Sequence, residues 1–336
     1  MNKEAYYKFA PDLTTCKLLN GMWQVAGGHG YIDHELAIAD MVKYHEAGFT
    51  TWDLADIYGP AEDFIGEFRQ RISSLKGEEE LNNTQALTKW VPEPSRVTRS
   101  IVNESIDKSL RRMKVGSLDL LQFHWWDYNN PYYMDALRYL FDLHDQGTIK
   151  HIGLTNFDTE RIQLMLDSGL HIISNQIQYS IIDRRPEVKM TPLCMKHNIR
   201  LLSYGTLCGG LLSERYLGRS PPSAVELDTL SLRKYIRMID AWGGWNLFQE
   251  LLSNLKRIAQ KYNVSIANIA TNYILAKPSV AGVIIGVRLG IAEHRNSNAQ
   301  VFDIHLDKSD FEDIDTVCTK SKDLFELIGD CGDEYR

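Results

Sequence analysis

The chain has 336 residues, of which 44% are hydrophobic and 24% are charged, and its formal net charge is −7. This composition is that of a globular protein with a large core, and the acidic balance argues against a general nucleic-acid binder. The length exceeds that of most single domains, although α/β barrels commonly reach it as one domain.

Short β-like runs alternate with helical segments along most of the chain. The first apolar run is predicted at residues 18–23 and the first helix at 35–47, where apolar residues recur at helical spacing. The second strand, at 49–52, ends at Asp53 and is followed by Tyr58 and a helix. Six further strands are predicted at residues 84–88, 118–123, 149–154, 171–176, 199–204 and 280–285.

Helices follow these strands at near-regular intervals, and Asp158 or Thr159 is predicted to cap the helix after the fifth strand. The spacing breaks after Tyr204, where a loop rich in Gly, Ser and Arg at 205–222 precedes extra helices. The later predicted helices lie at residues 100–113, 133–145, 159–165, 186–197, 230–241, 246–262, 265–276 and 309–320.

Eight strands, each followed by a helix, indicate parallel pairing through crossover connections. Eight such units close into a (β/α)8 TIM barrel of the α/β class, and no Pro-, Gly- or Ser-rich linker divides the sequence. We therefore predict a single domain over residues 1–336, with a polar tail from about residue 329. The alternative is an open doubly wound sheet, but the missing GxGxxG motif argues against its dinucleotide-binding form.

The cysteines indicate a reducing environment. They are scattered and lack CxxC spacing, which is typical of free thiols and not of a disulfide framework or a zinc site, so no metal is predicted. The first residues lack the apolar core of a signal sequence, and no apolar run is long enough to span a bilayer. We expect a soluble cytoplasmic protein without membrane insertion.

The functional residues are expected at the carboxyl ends of the strands, where (β/α)8 barrels carry their chemistry. Asp53 ends the second predicted strand, with Tyr58 just beyond it, Lys89 ends the third and His124 ends the fourth. Taken singly, such residues are more often turn, packing or solvated residues. Because they come from three successive strand ends, we expect the four side chains to converge on one pocket.

The four side chains together predict proton chemistry at a carbonyl group. A phenol has a pKa of roughly 10, so Tyr58 needs help to act near neutral pH. Lys89 is expected to favour the phenolate and lower the pKa of Tyr58, while Asp53 holds the ammonium in place. His124 could donate a hydrogen bond to a carbonyl oxygen, which gives a general-acid site for reduction. Reduction needs a hydride from outside, so a cofactor is implied.

These residues resemble the aldo-keto reductase family. Its Asp-x-Ala-x-x-Tyr-Gly motif stands at residues 53–59, Lys89 ends the next strand, and residues 118–124 look like the family's histidine strand. The resemblance covers nearly the whole chain, over about residues 21–298. The chain departs from the family pattern at Leu54, where threonine is common, and this departure should affect packing more than proton transfer.

The resemblance implies an NADP(H) site at the mouth of the barrel. Thr155, Asn156 and Gln176 would bind the nicotinamide carboxamide, and Tyr204 would stack on the nicotinamide ring. Arg288, near the adenosine 2′ position, favours NADPH over NADH. The other implied cofactor contacts are Met22 and Trp23 at the ribose, Gly205, Leu207, Gly209, Gly210 and Arg215 at the pyrophosphate, and Gly286, His294 and Asn298 (or Asn296) at the adenosine phosphate.

The predicted activity is the NADPH-dependent reduction of an aldehyde or ketone to an alcohol. Tyr58 would be the general acid, aided by Lys89 and Asp53, while His124 would orient the carbonyl. The identity of the small-molecule substrate, the reaction direction and the choice between monomer and homo-oligomer stay open. Four aromatic residues could wall the substrate pocket or could pack under the loops: Trp23, Trp90, Trp125 and Tyr128.

Two other functions stay open. The potassium-channel β subunits of the same family keep the barrel, the four residues and NADPH, yet act chiefly as partners of a channel. The resemblance therefore also allows an NADPH-binding regulatory subunit of that kind. A phosphate-binding lyase or isomerase on the same barrel, which needs no nicotinamide, is the third interpretation.

Overall fold

The computed structural model describes residue 1 and residues 3–336, and its centre is a closed barrel of eight parallel strands. An antiparallel hairpin, β1 (Tyr6–Ala10) and β2 (Leu13–Cys16), precedes the barrel. The barrel strands are β3 (Leu18–Gly21), β4 (Thr51–Asp53), β5 (Gln85–Trp90), β6 (Leu120–His124), β7 (Ile152–Thr155), β8 (Ser174–Gln178), β9 (Arg200–Tyr204) and β10 (Val280–Gly286). They neighbour one another in chain order, and β10 pairs with β3 to close the ring. The predicted (β/α)8 barrel is confirmed.

The helices connect the strands, and side chains cap several of their N-termini. The carboxylate of Asp158 accepts a hydrogen bond from the backbone N–H of Arg161 at 2.8 Å, so Asp158, and not Thr159, is the cap. No helix among the described residues is both long and apolar enough to cross a membrane. The helices are α1 (His34–Glu46), α2 (Ala61–Lys76), α3 (Arg99–Met113), α4 (Tyr133–Asp145), α5 (Thr159–Asp167), α6 (Met190–His197), α7 (Leu230–Trp242), α8 (Gly244–Tyr262), α9 (Ile266–Leu275), α10 (Arg295–Ala299), α11 (Lys308–Cys318) and α12 (Leu324–Ile328).

Several barrel strands begin two or three residues later than predicted. Phe49, Leu118, Ile149 and Ile172 are buried apolar residues that belong to the predicted runs, but they lie before the paired strands. Apolar patterning reports burial, and a side chain that packs beneath an entry loop is buried as fully as one in a strand. The predicted strand positions are therefore right, while their first residues are wrong.

The hairpin was not predicted, and it closes the amino end of the barrel. Leu13 of β2 packs in one apolar cluster with barrel residues that include Leu19, Leu87 and Leu202, and Phe9 covers the cluster from β1. The two hairpin strands are short and mix polar with apolar residues, so their pattern is weak in the sequence. Their stability comes from this packing, because an isolated hairpin is marginal in water.

The predicted polar tail from about residue 329 packs against the barrel. After α12 the chain forms a 3₁₀ turn at Asp333–Tyr335, and Cys331 is buried. The backbone N–H of Thr159 donates to the carboxylate of Asp330 at 3.0 Å, which ties this stretch to the start of α5. The last described residues therefore lie over the carboxyl end of the barrel.

We expect Leu13→Ala to lower the free energy of unfolding by about 2–5 kcal/mol, because it leaves a cavity in the cluster that closes the barrel. Urea unfolding followed by circular dichroism measures the change. Thr14→Ala, at the exposed neighbouring position of the same strand, is the control. Equal losses for the two variants would show that the hairpin does not close the barrel.

Candidate functional site

A buried ion pair lies at the ends of β4 and β5. The ammonium of Lys89 donates hydrogen bonds to Asp53 Oδ1 at 2.8 Å, to Asp53 Oδ2 at 2.7 Å and to the carbonyl of Leu54 at 2.9 Å. Lys89 and Asp53 are only 2% and 3% exposed. Burial lowers the pKa of Lys89, and the neighbouring Asp53 carboxylate opposes that shift. All three ammonium protons therefore have acceptors inside the protein.

Two glutamines extend this pair into a network. The side-chain amides of Gln122 and Gln176 donate to Asp53 Oδ1 at 3.0 and 2.6 Å, and Gln176 also donates to Gln122 Oε1 at 2.7 Å. Gln122 was missed in the sequence, although it lies two residues before His124 and so points to the same side of β6. Gln176 was predicted to bind a carboxamide, and in this structure its amide N–H groups donate to Asp53 and Gln122.

Tyr58 lies beside this network. Its ring centre is 5.1 Å from the ammonium of Lys89, and the ring of Trp23 meets it edge-on at 5.0 Å. The expected fall in its pKa is wrong, because burial raises the pKa of Tyr58 well above its ordinary value and nearby Asp53 and Tyr335 add to the rise. Lys89 directs its protons to Asp53 and Leu54, so it forms no hydrogen bond to the phenol that would offset the effect of burial. Tyr58 keeps its proton at neutral pH.

His124 ends β6 as a neutral, buried imidazole. Burial lowers its pKa to about 3, and the positive charges of Arg336 and Lys89 contribute. Asn156 accepts a hydrogen bond from the Tyr204 hydroxyl at 2.8 Å, so its amide N–H group faces His124 Nδ1, at 3.4 Å. Nδ1 is then the acceptor and Nε2 carries the proton. Nε2 is buried and has no hydrogen-bond partner among the described residues.

The residues predicted for the nicotinamide end lie side by side at the barrel mouth. Thr155 pairs with both His124 and Gln176 across β6, β7 and β8, and Tyr204 ends β9 opposite Gln178. Asn156 follows β7 with a φ of 57°, a left-handed conformation that asparagine adopts more readily than most residues other than glycine. Met22 and Trp23 follow β3 next to Tyr58.

The residues predicted for the phosphate end lie in the loops after β9 and β10. Gly205, Gly209 and Gly210 have φ values of 71°, 67° and 98°, which glycine adopts without strain. Arg215 and Arg288 are exposed and have no carboxylate within ion-pair distance among the residues that the structure describes. A glycine loop beside unpaired guanidinium groups fits a ligand that carries phosphates.

The other residues predicted to contact the cofactor phosphates lie around the same loops. Leu207 begins the loop turn, Gly286 ends β10 against Gly21, and His294 precedes α10. Asn298 is partly buried and Asn296 is exposed.

Of the four aromatics that could wall the pocket or pack under the loops, Trp90 and Trp125 are buried in the core. Trp90 stacks on Phe123 at 5.6 Å, and Trp125 is fully buried with its indole N–H donating to the carbonyl of Asp127 at 2.8 Å. These contacts are those of side chains packed under the loops. Trp23 is 38% exposed at the mouth, and Tyr128 is partly buried with its hydroxyl 3.2 Å from the carbonyl of Asn156.

Two further aromatics reach the site. The Trp126 ring lies 4.3 Å from that of His124, and the Tyr335 ring lies 6.0 Å from that of Trp126. Tyr335 was missed because nothing in its local sequence distinguishes it from a surface tyrosine.

Comparison with known proteins indicates a family for the chain. The model of the "Aldo/keto reductase family" matches residues 17–318 of the chain. The chain is 24% identical to the NADH-specific methylglyoxal reductase of Escherichia coli (strain K12) over 325 residues, which cover 89% of this chain and 93% of that protein. It is 27% identical to the aldo-keto reductase YhdN of Bacillus subtilis (strain 168), with 80% of each chain covered.

A solved structure shows the same fold. The aldo/keto reductase of Klebsiella pneumoniae in complex with NADP and acetate superposes with a TM-score of 0.71 at 21% identity, over 93% of this chain and 95% of that chain. At this identity the likeness speaks for the fold alone.

We expect His124→Gln to make the protein less sensitive to acid. In the unfolded chain the imidazole takes up a proton near pH ~6.5, whereas in the folded protein its pKa is about 3, so falling pH favours unfolding between these values. The unfolding free energy lost between about pH 6.5 and about pH 4.5 should be roughly 2 kcal/mol smaller in the variant. Urea titrations at each pH measure it, with exposed His171→Gln as the control. Parallel losses in wild type and variant would contradict the burial of a neutral His124.

Proposed function

The chain belongs to the aldo/keto reductase family, and we propose that it reduces an aldehyde or ketone to an alcohol with NADPH. One observation carries the proposal. His124 Nε2–H is a buried donor without a partner in the described chain, and it lies in the same site as the protonated phenol of Tyr58. A carbonyl oxygen has two lone pairs and can accept a hydrogen bond from each of these donors.

Tyr58 is the proposed general acid. Its raised pKa keeps the proton on the phenol until the carbonyl oxygen gains negative charge and becomes a stronger base. The phenolate that then forms lies beside the ammonium of Lys89, which is 5.1 Å from the ring centre and only 2% exposed. Electrostatic stabilisation of a developing charge is strong in such surroundings.

His124 is proposed to orient the carbonyl. Because its pKa is about 3, it donates from a neutral ring and adds no positive charge that would raise the cost of burial. Asn156 fixes its tautomer, and Trp126 packs against the ring. The donor is therefore held in place before a substrate arrives, which lowers the reorganisation needed during the reaction.

Asp53 has a positioning role in this proposal. It is held by Lys89 and by both glutamines, so it fixes the ammonium and does not act as an acid itself. Removing such a partner would leave a buried charge unpaired, which is strongly destabilising.

The proposed cofactor site runs along the mouth of the barrel. Asn156 and Tyr204 would hold the nicotinamide end, the glycines after Tyr204 would approach the diphosphate, and Arg288 would hold the adenosine phosphate. The chemistry that this cofactor supplies when bound is hydride transfer to the carbonyl carbon. The family includes an NADH-specific relative, so the preference for NADPH depends on Arg288 in this chain.

We expect Tyr58→Phe to lower turnover by roughly 10²–10⁴-fold while the NADPH dissociation constant changes little, because the phenol acts in proton transfer and not in cofactor binding. A screen of NADPH oxidation over aldehydes, ketones, sugars and quinones finds the substrate, and quenching of tryptophan fluorescence measures binding. Tyr139→Phe, on the outer helix α4, is the matched control. Full turnover in Tyr58→Phe would remove Tyr58 from the mechanism.

We expect Arg288→Ala to weaken NADPH binding by roughly 10–100-fold, since a hydrogen bond to a charged group contributes about 1.5–3 kcal/mol. NADH binding should change much less, because NADH lacks the 2′-phosphate. Fluorescence titrations with both cofactors measure the ratio, and Arg138→Ala on α4 is the control for loss of an exposed charge. An equal loss of affinity for NADPH and NADH would show that Arg288 does not bind the 2′-phosphate.

A further inference from the structure

The last described residues, Asp330 to Arg336, make specific contacts inside the candidate active site; we call them the 330–336 segment. The Tyr335 ring lies 6.4 Å from the His124 ring and 6.0 Å from the Trp126 ring. Its hydroxyl lies 3.2 Å from the Tyr204 hydroxyl and accepts from the ammonium of Lys234 at 2.5 Å. Tyr335 therefore touches groups on three sides of the site.

Arg336 fixes the segment to the opposite side of the site. One guanidinium nitrogen donates to the carbonyls of Trp125 and Asn156, both at 2.9 Å. The guanidinium also covers the ring of Tyr128 at 3.7 Å from its centre. These contacts join the segment to the loop after β6 and to the end of β7.

A buried ion pair anchors the middle of the segment. Glu334 lies 3.0 Å from Arg185, whose guanidinium also donates to the carbonyl of Asp330 at 3.1 Å. The side chains of Arg185 and Glu334 are 1% and 6% exposed. At Gly332 a Cβ would come within 2.2 Å of the Asn156 carbonyl, so only glycine allows the backbone to lie this close. The ion pair, the bond to the Asp330 carbonyl and the close approach at Gly332 thus each hold the segment against the site.

The same contacts conflict with ligand binding as proposed above. Asn156 and Tyr204, assigned to the nicotinamide end, form one hydrogen-bonded chain with Tyr335. Lys234 lies over the rings of both Tyr204 and Tyr335, at 5.4 and 4.3 Å from their centres. A planar ring that stacks on Tyr204 while a carbonyl approaches His124 needs the space beside these groups, which Tyr335 holds.

We propose that the 330–336 segment is an internal inhibitor that occupies the reaction site and must be displaced when the cofactor binds. This inference rests on the proposed function, since it takes Asn156, Tyr204 and His124 as the ligand-binding groups. Displacement leaves no buried charge unpaired. Arg185 keeps a bidentate pair with Asp183, with both N–O distances 2.8 Å, while Glu334 moves into water.

Only molecules in which the segment is displaced, here called open, can bind the cofactor. The apparent affinity for NADPH is therefore the intrinsic affinity multiplied by the fraction of open molecules. If about one molecule in ten is open, substitutions that release the segment tighten NADPH binding by about tenfold. The competing arrangement, in which the segment closes over a bound cofactor and walls the substrate pocket, makes the opposite prediction: release would weaken binding.

The first experiment is hydrogen exchange of the full chain, followed by mass spectrometry, with and without saturating NADPH. The backbone N–H groups of Asp333, Tyr335 and Arg336 are hydrogen-bonded within the segment, so they report its order. We expect the 330–336 segment to lose protection when NADPH binds. Unchanged or greater protection in the NADPH-bound protein would overturn the proposal.

The second experiment compares NADPH dissociation constants by fluorescence quenching. Tyr335→Ala and Glu334→Gln should each tighten binding about tenfold, whereas the controls Tyr7→Ala, on the hairpin at the far end of the barrel, and Glu326→Gln, on the exposed side of α12, should not. Unchanged or weaker binding in folded Tyr335→Ala and Glu334→Gln overturns the inhibitor and leaves the proposed function intact. No NADPH binding in the wild type or in any variant overturns the proposed function, and this inference falls with it.

Discussion

The candidate site depends on one buried charge, the ammonium of Lys89. A charge removed from water is stable only when its hydrogen bonds are complete, and Asp53 and the Leu54 carbonyl complete them here. Asp53 in turn collects amide donors from Gln122 and Gln176. One network therefore fixes β4, β5, β6 and β8 relative to one another. Tyr58 lies beside the network, and the three ammonium protons are already bonded to Asp53 and the Leu54 carbonyl.

The barrel and the four central residues could be predicted because their signals are local. A strand that ends in a polar residue places that residue at the barrel mouth, and Asp53, Lys89 and His124 were found in this way. The pKa of Tyr58 could not be predicted, because its direction depends on burial and on where the protons of Lys89 point. Gln122 was within reach, since alternation along β6 puts it on the same side as His124.

Other features depend on contacts between distant parts of the chain and leave no local trace. Trp90 and Trp125 end or follow strands as pocket residues would, yet the packing of Phe123 and its neighbours draws them into the core. The partners Arg185 and Glu334 are separated by almost half of the chain. A short polar stretch such as the 330–336 segment is typical of a solvated tail, and only the shape and charge of the barrel mouth give it a fixed place.

The hairpin of β1 and β2 bears on how ligands enter and leave the candidate site. It covers the amino end with apolar side chains, and the barrel interior is itself filled with side chains, so ligands reach His124 and Tyr58 from the carboxyl end. Two ligands that share one opening cannot exchange independently when one lies beneath the other. The deeper ligand has to arrive first and depart last. For the proposed cofactor and substrate, access from one end of the barrel would therefore require a fixed order of binding and release.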